Sequence, residues 1–322
     1  MGTADARLPD TVFLGEYTDR INRTGVSVLY FEGGAIAGMY KYGNATSTRQ
    51  VDSLESSHAV SRIDALTLAG GSAFGLDACC GVMRWLREHD KGTDLRGIRI
   101  PIVPGAVLFD LRFSTGVTPD CTMGYAACST LGKIVHEGSY GAGTGATVGK
   151  INGIEHAMKG GVGSASGKLS DGTLVWVYVV LNAFGDVVDK DRKILAGARK
   201  EKNSRDFLDT AHVITGNAGD STMHPVPENT TLCVVVTDAY FDKSSLRAIA
   251  KMASAGIARA VSPAGMSFDG DIVFAVSTGN QNEAMDVVGV LAADLVEVAI
   301  RRAALHSDGF GILPSYGDIQ NR

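Results

Sequence analysis

The run Pro227-Glu228-Asn229-Thr230-Thr231-Leu232 carries a polar stretch directly into Thr231–Thr237 (TLCVVVT), which reads as a strong buried strand. A threonine therefore stands at the start of that strand. Scission of the Asn229–Thr230 bond would give Thr230 a hydroxyl nucleophile and a free α-amino group at once. An α-amino group has a reference pKa of about 7.7–8.0, against about 10.4 for lysine, so a useful fraction is unprotonated near neutrality. It can take the hydroxyl proton with no histidine, which is the threonine/N-terminal-amine form of nucleophile activation. On spacing alone the same residues also fit a turn followed by an ordinary strand.

Other chemistry-bearing patterns fail on their context. Gly141-Ala142-Gly143-Thr144-Gly145-Ala146 matches GxGxxA. That fingerprint needs an apolar strand before it and a helix after it, and neither His136–Tyr140 nor Thr147–Asn152 reads that way. Gly149-Lys150 resembles the end of a P-loop, but Thr144 stands at its first glycine and Ile151 at its Ser/Thr. Ser72, Ser164 and Ser166 miss the GxSxG spacing of a nucleophile elbow. No HExxH occurs, and the seven histidines are scattered. The five cysteines, Cys79, Cys80, Cys121, Cys128 and Cys233, are odd in number with no CxxC pair. They read as buried free thiols, not as a zinc site or a disulfide framework.

The elements that must position these residues follow from pattern. Val26–Phe31 and Ala35–Tyr40 read as short strands around a Glu32-Gly33-Gly34 turn, and Ala65–Leu68 as a brief apolar run leading into Gly70-Gly71-Ser72. A helix is expected from Ser72, its N-cap, to His89, with Phe74, Ala78, Val82 and Trp85 on one face. Ile100–Phe109 reads as strand interrupted at Pro104-Gly105, Cys121–Leu131 as a short helix, and Tyr140–Gly167 as glycine-rich loop with brief strands. Leu174–Asn182 and Val187–Asp189 read as a hairpin. Arg192–His224 reads as an exposed flexible segment. Asp242 caps a helix over Lys243–Ala260. Ile272–Ser277 is a strand, and Ala284–Leu305 a long helix. Strands and helices mix throughout, giving an α/β or α+β class.

Composition sets the outer bounds. The 322 residues are 45% hydrophobic and 20% charged, enough for a large core and unlike a disordered chain. A net charge of −5 argues against nucleic-acid binding. The strongest apolar run, Leu174–Leu181, is too short to span a bilayer. The chain reads as a soluble cytoplasmic protein with no membrane segment.

The chain resembles the DmpA-type aminopeptidase family, peptidase family S58, from about Val12 to Leu313. The matching blocks are Leu68–Leu76 (LAGGSAFGL), Gly141–Lys150 (GAGTGATVGK), Asn182 ending its strand, Asn229-Thr230-Thr231-Leu232 with Val234–Asp238, and Phe268-Asp269-Gly270-Asp271. The resemblance implies an N-terminal-nucleophile hydrolase with an αββα sandwich fold, one catalytic domain over 1–322. It implies self-cleavage at Asn229–Thr230 into an α chain, 1–229, and a β chain, 230–322, that stay associated in a homo-oligomer, often a tetramer. Carried over by motif, Thr230 is the nucleophile and Asn182 offers its amide to the developing oxyanion. Lys150 favours the anionic intermediate or helps hold Thr230. Asp269 and Asp271 orient Thr230, shuttle its protons or bind the substrate amine; a turn capped by carboxylates is the plainer reading of that pair. No metal or organic cofactor is implied. The implied substrate is a short peptide or peptide-like amide with a free amino end, a β-peptide or a linear polyamide (nylon-like) oligomer. Acyl transfer of the ornithine-acetyltransferase type and an unprocessed non-catalytic homologue are the alternatives. Phe109 departs from the tyrosine of several members, which leaves substrate preference open, and Asp110 beside it reads as structural.

Overall fold

The computed structural model describes residues 8–216 and 228–320. Nine strands form one continuous hydrogen-bonded path that folds over on itself. They are β1 (Val12–Asp19), β2 (Thr24–Lys41), β3 (Ser47–Arg49), β4 (Ile63–Ala69), β5 (Gly105–Val107), β6 (Gly161–Lys168), β7 (Leu174–Asn182), β8 (Thr230–Tyr240) and β9 (Ile272–Asn282). The order is β6-β7-β8-β9-β2-β4-β5-β3, with β1 paired to β2. The fold-over lies within β2. Its first part pairs with β1 and β4, and its last part, Ile36–Lys41, pairs with β9.

Two sheets result, packed face to face. Leu29, Leu66 and Leu68 from one meet Trp176, Tyr178, Val234 and Phe274 from the other in a shared buried core. Each outer face is covered by helices. α1 (Ala78–Glu88) and α2 (Cys121–Cys128) close a core against Val26, Val28 and Ala69. α3 (Lys243–Ala260) and α4 (Met285–Leu305) close one against β7, β8 and β9. This is the αββα sandwich expected. No helix among the described residues is long and apolar enough to cross a membrane.

Several local expectations hold closely. β7 and α3 have the expected bounds, and Asp242 caps α3 by accepting from Ser245 N at 2.7 Å. The five cysteines are free, with Cys79, Cys128 and Cys233 buried.

Others are corrected. The Glu32-Gly33-Gly34 turn is a bend inside one 18-residue strand, where Gly33 and Gly34 take φ of +78° and +74°. Glycine reaches that region without a Cβ clash, so the strand can change sheets there. The segment from Ser72 to Asp77 is a 3₁₀ turn preceded by Gly71, so Ser72 is not the N-cap of α1, and Phe74 projects into solvent. In the Ile100–Phe109 stretch only Gly105–Val107 joins the main sheet; Ile98–Ile100 pairs with Thr93–Leu95 instead. Gly161–Lys168 is a full edge strand, not loop. Asp186–Val188 pairs with Ile194–Ala196 and Val261–Ser262 in a separate small sheet, not with β7. Of the expected flexible segment, Ile194–Ala196 is strand and Thr210–Gly216 is helix, while 217–224 lie outside the described residues.

Candidate active site

Strand pairing brings the ends of four strands to one place. β7 and β8 run antiparallel with Asn182 opposite Thr230. β8 and β9 run parallel with Leu232 opposite Ile272, and β9 and β2 antiparallel with Ile272 opposite Lys41. The C-terminal ends of β7 and β2 therefore meet the N-terminal ends of β8 and β9. Thr230, Asn182 and the turn Asp269–Asp271 all sit at this junction.

Thr230 is only 6% exposed in the continuous chain. Its hydroxyl lies close to Gly270: a Cβ at that glycine would stand 2.6 Å from Thr230 Oγ1. The carbonyl on the other side of the Asn229–Thr230 bond is held as well. Gly270 N donates to Asn229 O at 2.7 Å, part of a parallel bridge between Asn229 and Asp269.

The turn carrying Gly270 is pinned through its backbone. Ala45 N donates to Asp269 O at 2.9 Å, and Tyr42 N and Gly43 N donate to Asp271 O at 2.9 and 3.0 Å. Its side chains are pinned too. Asp271 accepts from Thr231 N at 2.6 Å and from Gly265 N at 3.1 Å. Asp269 Oδ2 accepts from Met266 N at 2.9 Å, while its buried Oδ1 has no hydrogen-bond partner among the described residues. Burial first, and Asp271 second, push the Asp269 carboxyl up to about 7. Burial also raises Asp271. A carboxyl brought close to neutrality is suited to accept and return a proton.

Asn182 is fully buried and every polar atom of its side chain is used. Its Oδ1 accepts from Thr147 N and Lys150 Nζ, each at 3.0 Å. Those two donors settle which end of the amide is oxygen. Nδ2 then donates to Phe109 O at 3.0 Å and to Glu228 O at 3.2 Å. Lys150 Nζ also donates to Asn182 O at 2.8 Å. Burial lowers Lys150 to about 7, opposed by the charges of Asp269, Glu228 and Asp271.

All five sequence-derived positions, Thr230, Asn182, Lys150, Asp269 and Asp271, thus converge. Lys150 reaches the group through Asn182. Asp110 sits just outside, accepting from Thr24 Oγ1 and Gly71 N at 2.7 Å each, and ties its own loop to the start of β2 and to the loop after β4. A second buried lysine, Lys159, donates to the carbonyls of Gly143, Ala146 and Gly160 and braces the loop that carries Lys150.

Sequence reasoning missed four participants: the Gly270 N–H, the Phe109 carbonyl, the Thr147 N–H and Arg112, whose Nε donates to Glu228 Oε2. Three act through the backbone, where residue type carries no signal. Gly270 alone had one, a glycine between two buried carboxylates.

Comparison with known proteins places the family and the fold. The description "Peptidase family S58" matches residues 11–310. An uncharacterized aminopeptidase of Mycobacterium tuberculosis is 36% identical over 318 residues, covering 92% of this chain and 89% of its own. A 6-aminohexanoate-oligomer endohydrolase of Paenarthrobacter ureafaciens is 29% identical over 265 residues, covering 79% and 69%. Among solved structures, a Burkholderia sp. β-aminopeptidase superposes with a TM-score of 0.70 at 18% identity, covering 98% of this chain and 91% of that one. The L-aminopeptidase D-Ala-esterase/amidase of Ochrobactrum anthropi, described as a variant of the Ntn hydrolase fold, gives 0.67 at 19% identity, covering 93% and 85%.

Proposed function

The chain belongs to peptidase family S58 and is a hydrolase of peptide or amide bonds; from that premise we propose that it matures by cutting itself at Asn229–Thr230 and then works through Thr230. The observation that carries this reading is the pairing of Thr230 Oγ1, beside Gly270, with a scissile carbonyl that Gly270 N already holds at 2.7 Å.

In maturation, Thr230 Oγ1 attacks the Asn229 carbonyl carbon, and the C–N bond breaks as the C–Oγ ester forms. The hydroxyl proton passes by way of Asp269 to the departing nitrogen, which becomes the free α-amino group. Water then hydrolyses the ester and releases the Asn229 carboxylate. In turnover the α-amine takes the Thr230 proton, the substrate acyl group is transferred to Oγ1, and the leaving amine collects the proton. Water completes the cycle. Gly270 N–H opposes the charge that grows on the carbonyl oxygen. One such preorganised donor is worth about 3 kcal/mol of transition-state stabilisation. Asn182, freed of Glu228 O once the tail withdraws, supplies a second donor, with Lys150 fixing its orientation.

The substrates this reading favours are short peptides, β-peptides or linear polyamide oligomers, the classes to which the relatives' names point. The test is intact-mass measurement with N-terminal sequencing. Wild type should yield a second chain beginning at Thr230, and Thr230→Ala should stay one chain without amidase activity. Active wild-type protein with a single uncut chain removes Thr230 from the mechanism.

A further inference from the structure

The two residues before Thr230 are both held in the uncut chain. Gly270 N donates to Asn229 O at 2.7 Å, and Asn182 Nδ2 donates to Glu228 O at 3.2 Å. Those contacts reach backbone carbonyls and are indifferent to residue type. A third is not: Arg112 Nε donates to Glu228 Oε2, and the two side chains form an ion pair. Glu228 is thereby fixed at its carbonyl and at its carboxylate together. A carbonyl held at one point can still swing about the neighbouring bonds. A second hold on the preceding residue restricts that swing, and attack on the Asn229 carbon needs an aligned approach.

The surroundings suit that second hold. Arg112 is three residues from Phe109, whose carbonyl shares the Asn182 amide, so both holds on Glu228 are tied to one loop. The Glu228 side chain is 15% exposed and that of Arg112 is 56% exposed, so the carboxylate is largely withdrawn from water while its cation is not. Arg112 also lines a cavity of about 760 Å³ whose described wall carries Arg23, Arg199, Lys202 and Arg205 against three carboxylates. The Glu228 carboxylate thus sits beside a locally positive wall in a chain of net charge −5. It is also felt by Lys150. Burial lowers Lys150, and the charges of Asp269, Glu228, Asp271 and Asp110 oppose that shift; Lys159 is the other buried cation nearby. Of those four carboxylates, Glu228 alone belongs to the segment that is cut.

We propose that Arg112 and Glu228 are positioning residues for self-cleavage: their ion pair fixes the residue before the scissile carbonyl and keeps a carboxylate beside Lys150 while the bond is intact. This rests on the Thr230 reading above. Both act through other groups, Arg112 through Glu228, and Glu228 through its own carbonyl and through Lys150. The link between guanidinium and carboxylate is a directional charge-assisted hydrogen bond.

The experiment times the appearance of the β chain after a pulse of cell-free synthesis, chased at a series of pH values. Arg112→Leu should slow cutting about fivefold, the scale of a partly exposed ion pair. Glu228→Gln should slow it at least as much, and the double variant no more than Glu228→Gln alone, because Arg112 then has nothing left to hold. Arg112→Lys, which keeps the charge, should cut faster than Arg112→Leu. Salt at about 1 M should slow wild type toward Arg112→Leu and leave that variant nearly unchanged. Glu228→Gln should also move the alkaline limb of cutting to lower pH, since Lys150 loses a neighbouring negative charge. Arg112→Leu leaves that charge in place and should not; a merely structural role moves no limb. Wild-type cutting rates in folded Arg112→Leu and Glu228→Gln overturn the proposal. So does a double variant slowed by the product of the two single effects, or an alkaline limb that Glu228→Gln leaves where it stands. If Arg112→Leu does not fold, the salt series on wild type decides: a rate indifferent to salt overturns the ion pair's role. Each of these outcomes comes from wild type that cuts itself and leaves the Thr230 reading standing; active but uncut wild type defeats that reading instead.

Discussion

Lys150 and Asp269 are unlike charges moved toward one another on the pH scale. Burial lowers the first to about 7, and burial with Asp271 raises the second to about 7. The signs differ in consequence. Asp269 gains its charge as pH rises through about 7 and only then accepts the Thr230 proton. Lys150 loses its charge over the same range, and its two hydrogen bonds to Asn182 lose their charge assistance. Self-cleavage should therefore follow a bell-shaped profile centred near neutrality, with limbs that belong to the cluster as a whole. Lys150→Arg keeps the charge at every accessible pH, so the alkaline limb should vanish while the acid limb stays. Timed appearance of the β chain on denaturing gels across pH 5–9 measures this, and a flat wild-type profile would remove Asp269 from the proton path and the Lys150 charge from the positioning of Asn182. At this scale Thr230 is legible in the junction of a polar stretch with a buried strand, as one of two readings, and the other four residues only through family motifs. Asn182 and Thr230 are register partners, yet nothing in either residue's own neighbourhood announces the other. The Phe109, Thr147 and Gly270 contributions are backbone atoms, which every residue type presents alike.

Elements set the tolerances within which those side chains work. The turn at 269–271 is strapped by the segment following β2, and the strap depends on Gly43. A Cβ there would stand 2.1 Å from Asp269 O and 2.9 Å from Asp271 N. Gly43→Ala should push the turn away from Thr230 and slow self-cleavage at least tenfold. The stability loss should be about 1–3 kcal/mol, the usual cost of overpacking. Urea denaturation beside a processing time course separates the two effects; normal processing in a destabilised variant would show that the strap serves stability alone. Glycine also explains where element reading went astray. β6 reads GVGSASGK, poor in strand formers. Two of its glycines mark close backbone approaches: a Cβ at Gly163 would meet Ala299 O of α4 at 2.1 Å and Ala303 N at 2.5 Å, and one at Gly161 would meet Gly138 O at 2.5 Å. Composition that signals loop in isolation signals close helix–sheet contact here. β7 and α3, which pack through ordinary side chains at regular periods, were read within their observed bounds. The long β2 was split because two left-handed glycines that bend a strand look, in sequence, like two that end one.

At the scale of the whole molecule the proposed cut falls in an unusual place. Residues 230–322 contribute β8, β9, α3 and α4, and the two strands lie inside the sheet, not at its edge. β8 is bonded to β7 through eight register pairs, and β9 to β2 through six. Both flanking strands belong to residues 1–229. The apolar side chains of β7, β8 and β9 are shared between the central core and the core under α3 and α4. Separating the chains would break two sheet ladders and open both cores together, exposing buried apolar surface at roughly 25 cal/mol per Å². A single backbone scission at the start of β8 removes none of those contacts. Processed protein should therefore run as two bands under denaturing conditions yet remain one species in native mass spectrometry, even after dilution to nanomolar concentration. Urea should release the chains only in the same transition that abolishes tertiary structure. Release of the β chain on native gel filtration would mean that β8 and β9 leave the sheet after cutting, and with them the alignment of Thr230 against Asn182 on which the proposed turnover depends.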